Sequence, residues 1–94
     1  EALEIVARGD RKSSRVVGRK VSELQLPREV HIGLIVRGLP ELPNTPTEGL
    51  PEPEVIIPRS ATVIESNDHV VFFLPNKRLV RDVEKLFRVS ATFF

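Results

Sequence analysis

Five consecutive apolar residues, Val70 to Leu74, follow His69 and stop at Pro75. They are rich in β-branched and aromatic side chains, and a run of this kind predicts a strand buried on both faces. Asn67 and Asp68 ahead of it form a turn signal, because both tolerate left-handed backbone and bond their own main chain. After Pro75, Asn76 is a good N-cap. Leu79, Val80, Val83, Leu86 and Phe87 then recur at helical spacing, with Lys77, Arg78, Arg81, Asp82, Glu84, Lys85 and Arg88 on the other side. Arg78 with Asp82, and Glu84 with Arg88, are favourable pairs four apart. The pattern is a central strand feeding an amphipathic helix. Since one helix covers one face of a sheet, the second face of the strand needs cover from elsewhere.

The rest of the chain is placed around this unit. Glu1 to Arg8 alternates loosely and predicts a first strand, closed by Gly9 and Asp10. Ser22 with Gln25 has the form of a capping box, but Pro27 leaves room for only a short connector helix, with Val21, Leu24 and Leu26 turned inward. Val30 to Val36 predicts a second strand, with Val30, Ile32, Leu34 and Val36 on one side and His31, Gly33, Ile35 and Arg37 on the other. Gly33 inside it signals a bulge or the close approach of a backbone or a ring. Leu39 to Pro53 holds five prolines, a density that forbids helix and internal strand. Glu54 to Ile57 predicts a short strand ended by Pro58, and Ala61 to Ile64 a further apolar approach. Loops this short do not allow parallel crossovers. The expected fold is therefore α+β, a small, largely antiparallel sheet of four to five strands with one short and one long helix.

Composition narrows the classes. Ninety-four residues make one domain with a modest core, marginally stable alone. A hydrophobic content of 40% with a net charge of +1 is that of a globular chain and makes no demand for nucleic acid. The absence of cysteine removes disulfides, thiolate zinc sites and a cysteine nucleophile, and permits a reducing cytoplasm. No apolar run is long enough to span a membrane, and no secretory signal precedes the first strand. The chain opens on Glu1, already in strand-like sequence, and is expected to be a piece of a longer protein.

Candidate chemistry is sparse. A strand apolar on both faces leaves a surface that a second copy of the chain could cover, so a dimer or higher homo-oligomer is expected, with Val30, Ile32 and Arg37 as interface candidates. The alternative is that the first strand and the C-terminal tail fold over that face. The basic run Arg8, Arg11, Lys12, Arg15, Arg19 and Lys20, with Ser13 and Ser14 inside it, suits phosphate or an acidic partner; a solvated loop is the plainer reading. The anion candidates are Arg11, Lys12, Arg15, Arg37 and Arg59. No aromatics interleave with the charges, which argues against nucleic acid. His31, His69, Asp68 and Glu65 lack metal-ligand spacing, so no metal is expected. His69 beside Asp68 is a pair that could couple pH to stability. Ser60 and Ser66 have no matched base, and no catalytic residue is assigned. The apolar Val89 to Phe94 is expected to dock on this domain or a neighbour.

The order of motifs resembles the C-terminal subdomain of RCK-type regulators of potassium conductance, the TrkA-C family. The residues that carry it are Ala2 to Asp10, Ser14-Arg15-Val16-Val17-Gly18-Arg19, Leu24-Gln25-Leu26-Pro27, Ile32 to Gly38, Val63 to Val70 and Asp82 to Phe87. Residues 1–94 then form a single regulatory domain. Leu39 to Pro53 looks like an insertion where the family has a tight turn, and Asn67 stands where the family often has Gly. The resemblance implies a non-catalytic regulatory and oligomerisation domain of a cytoplasmic subunit that gates a membrane-embedded potassium uptake transporter from the inner face of the membrane. It also implies that NAD or ATP binds a Rossmann-like N-terminal subdomain absent here; no Gly-rich phosphate loop follows a strand in this chain. A small regulatory ligand such as a cyclic dinucleotide is a further implication. The rival readings are a stand-alone nucleotide or cyclic-dinucleotide sensor, holding its ligand near Arg37 or Arg59, and the same domain attached to a transporter for another solute.

Overall fold

The computed structural model describes residues 1–40, 46 and 48–88. Strands β1 (Ala2–Val6), β2 (His31–Arg37), β3 (Glu54–Ile56) and β4 (His69–Phe73) form one antiparallel sheet in the order β1-β4-β2-β3, and helix α1 (Arg78–Leu86) follows β4. The expected element order and the central place of β4 hold. Residues Ala61 to Ile64 add no strand: Val63 makes a single bridge with Lys20.

Local chemistry explains the ends of the elements. Asn76 Oδ1 accepts the Arg78 N–H at 3.0 Å, so Asn76 serves as a cap just ahead of a helix that begins at Arg78. The connector, the link between β1 and β2, holds one 3-10 turn, Val21–Glu23. Its box sits two residues earlier than Ser22 and Gln25 suggest, because Glu23 reaches back to accept the Lys20 N–H at 2.8 Å. Asn67 has φ 69, which Asn tolerates as Gly does.

The register of β2 corrects the expected alternation. Ile32 lies opposite Phe72 and Ile35 opposite Val70, with the irregularity between Ile32 and Leu34. A bulge at Gly33 inserts one residue, so Ile32 and Ile35, three apart, share a face. Leu34 and Val36 consequently turn to the other face instead of accompanying Ile32. Gly33 itself lies under the Phe73 ring: a Cβ there would stand 2.0 Å from Phe73 Cε2. Both of the reasons expected for this glycine, the bulge and the ring, are present.

Leu3 and Ile5 of β1 join Ile32, Ile35, Val70 and Phe72 on the covered face. Val83 and Phe87 from α1, Val16 and Val17 from the connector, and Ala7, Val30, Ile64 and Leu74 complete the core. Phe72 meets Phe87 edge-on, with ring centroids 5.2 Å apart, a geometry that contributes about 1 kcal/mol beyond area burial. The opposite face of β4 is not covered by the described residues, which corrects the expectation of burial on both sides. β1 extends the sheet at its edge instead of folding across it.

Candidate functional site

Three features of the described residues bear on function: the uncovered sheet face, an ion-pair knot at one end of β2 and β4, and a basic cleft on the connector. The uncovered face follows from the pleat. Residues alternating with the core set point away from α1: Val6 and Glu4 on β1, His69, Val71 and Phe73 on β4, Leu34 and Val36 on β2, and Val55 on β3. Phe73 is 52% exposed and Val55 63%, while Val6, Leu34, Val36 and Val71 are half-buried by their neighbours. At the side of this face, among the described residues, His69 Nδ1 lies 2.7 Å from Glu4 Oε1, which accepts its hydrogen bond. The result is a contiguous apolar band with one hydrogen-bonded His–Glu pair at its side.

The knot is built by Arg37 at the end of β2. Its Nε donates to Asp68 Oδ1 and its Nη2 to Asp68 Oδ2, both at 2.9 Å, and Nη2 also donates to the Val63 carbonyl at 3.0 Å. Nη1 reaches Glu65 Oε2 at 2.8 Å. Asp68 is fully buried, and its Oδ2 accepts the Glu65 N–H at 2.8 Å. Bidentate charge-assisted pairing of this kind is strong and geometrically specific. The hydrogen bond to Asp68, reinforced by the charges of Asp68, Glu65 and Glu54, raises the Arg37 pKa against its partial burial. The guanidinium is thus a permanent charge tying β2 to the turn before β4.

On the connector, Asp10 Oδ1 accepts the N–H groups of Lys12 and Ser13, each at 2.9 Å, and the Ser13 hydroxyl at 3.1 Å. These bonds, the Ser13 N–H foremost, lower the Asp10 pKa. Ser14 is buried, and its Oγ accepts the N–H groups of Val16 and Val17 at 3.1 Å. Lys12 and Arg15 line one cleft there together with Arg19. The Arg11 stem packs across Gly18.

The other residues singled out in the sequence fall elsewhere. Arg59 opens the turn that bonds Thr62, and neither it nor Arg37 lines the connector cleft. Val30 is in the chain's own core and Ile32 faces Phe72, so neither reaches the uncovered face. His31 and His69 stand at opposite ends of the β2-β4 ladder, and no group of three potential metal ligands forms among the described residues. Asp68 was the residue least visible in the sequence: a turn-forming aspartate looks the same whether it faces water or an arginine. Val89 to Phe94, and residues 41–45 and 47 of the Pro-rich stretch, lie outside the described residues. Among the described residues no helix is long and apolar enough to cross a membrane.

Comparison with known proteins agrees with this architecture. The chain is 44% identical over 94 residues to the Trk system potassium uptake protein TrkA of Halomonas elongata, covering all of this chain and 18% of that protein. It is 46% identical over 93 residues to the protein of the same name from Vibrio alginolyticus, covering 99% of this chain and 17% of that one. The Haemophilus influenzae protein of that name is 42% identical with the same coverages. The chain therefore spans less than a fifth of the length of these curated relatives. The TrkA-C domain family matches residues 10–88, a span that takes in the connector, β2, β3, β4 and α1, and the chain belongs to that family.

Proposed function

We propose that this domain is a non-catalytic regulatory and pairing module within a subunit that controls a membrane-embedded potassium uptake transporter from the cytoplasmic side. Its membership of the TrkA-C family and its identity to proteins named for potassium uptake support the process. One observation supports the mode of action: the band of Leu34, Val36, Val55, Val71 and Phe73, left open by a helix that covers only the opposite face. An apolar surface of this kind on a small domain is characteristic of an interface. A second copy of the domain applied to it would complete the two-sided burial that the β4 sequence calls for. Ligand binding elsewhere in the full protein, including NAD or ATP outside residues 1–94, would then act by shifting paired domains between discrete arrangements.

The test is potassium uptake in cells that depend on the full-length protein, comparing wild type with Phe73→Lys. Phe73 is half exposed, so the substitution leaves the core of each domain intact. Expected is a loss of regulated uptake at unchanged protein abundance. Uptake and its regulation equal to wild type in Phe73→Lys and in Val55→Lys would overturn the reading.

A further inference from the structure

We infer that the connector cleft is a binding site for a small phosphate-bearing anion. The cleft, of about 430 Å³, is walled by Lys12, Arg15 and Arg19 together with Glu23, and Ser13, Ser14, Gln25 and Leu86 complete it. That volume lies within the ordinary range for small-molecule sites.

The cations line one cleft and are only partly offset: the Lys12 charge acts on Asp10, whose pKa it helps to lower. No side-chain hydrogen bond or ion pair engages Lys12, Arg15 or Arg19 among the described residues. The cleft's one carboxylate, Glu23, already accepts the Lys20 N–H through Oε1. Asp10, the nearest acid in sequence, is turned onto three donors of its own loop. Three cations against Glu23 and the neighbouring Asp10 leave the cleft net positive, which suits the charge of about −1.5 to −2 that a phosphate monoester carries near neutrality. By contrast, Arg37 has its carboxylates built in.

Donors are held in place as well as charged. The Asp10 turn fixes the backbone under Lys12, and Ser14, buried, spends its oxygen lone pairs on the N–H groups of Val16 and Val17. The hydroxyl proton of Ser14 has no acceptor among the described residues, which leaves it for a ligand oxygen at the cleft wall. Arginine supplies the forked donors that phosphate oxygens take in pairs. Leu86 offers an apolar wall to the carbon part of an ester, and the lining holds no aromatic ring to stack a base. This inference stands independently of the proposed role in potassium uptake, since it concerns only the chemistry of the connector.

The experiment is titration calorimetry of the 94-residue chain with inorganic pyrophosphate and with glycerol 3-phosphate. A parallel arm measures co-sedimentation with vesicles of equimolar phosphatidylcholine and phosphatidic acid. Circular dichroism checks that every variant is folded. Expected is saturable binding, weakened about tenfold or more by Lys12→Gln and by Arg15→Gln, the loss of one charge-assisted contact each, and unchanged in Arg81→Gln on the exposed side of α1. Binding confined to the vesicles, with the same dependence on Lys12 and Arg15, identifies the phosphate as a lipid headgroup. Absence of saturable binding in both arms overturns the inference. So does an Arg81→Gln variant that loses as much affinity as Lys12→Gln, because the effect would then be net charge alone.

Discussion

Arg37 and Asp68 show how one side chain fixes the meaning of another. A buried carboxylate costs several kcal/mol in desolvation unless it is paired and hydrogen-bonded, and Asp68 obtains two guanidinium bonds and one backbone N–H. Removing either partner strands the other. Asp68→Ala is expected to lower unfolding free energy by about 3 kcal/mol, measured by urea denaturation. Arg37→Met should be comparably harmful, while the double variant should cost clearly less than the sum of the two. Strict additivity in that cycle would mean that the pair is not energetically coupled.

Among the elements, β2 carries the most consequential irregularity. Its bulge allows Ile32 and Ile35 both to face α1, and the vacancy left by the Gly33 side chain is filled from above by Phe73. Gly33→Ala should therefore destabilise the domain by about 1–3 kcal/mol, as overpacking does, unless the ring is removed first. In a Phe73→Ala background the same substitution should become neutral or favourable, since Ala then restricts only the unfolded chain. Thermal unfolding of the wild type, the two single variants and the double variant decides this. A Gly33→Ala cost that persists without the ring would place the constraint in the bulge backbone instead.

For the molecule as a whole, the decisive quantity is the apolar area that one helix leaves uncovered. A four-stranded sheet with a single long helix can bury one face only. Sedimentation velocity of the isolated chain is expected to show concentration-dependent self-association that Phe73→Lys abolishes. A strict monomer at all concentrations would remove the second copy as the occupant of this face. It would leave a different partner to cover it.

Element order, the antiparallel class and the helix after β4 were legible in the chain because each rests on neighbours in sequence: a β-branched run, a capping asparagine, a 3.6-residue stripe. The basic connector was legible as charge, but its cleft was not. Whether cations converge depends on where Asp10 and Glu23 spend their oxygens. The side-chain directions along β2 were misread for the same kind of reason. Strict alternation put Val30 and Ile32 with Leu34 and Val36, and one inserted residue at Gly33 reversed half of that set. By itself the sequence determined which segments become strands and helix, through local propensity and periodicity. Only the tertiary structure decided the register across strands, the burial of Asp68 under Arg37 and the face of β4 left open, because each depends on a partner distant in the chain.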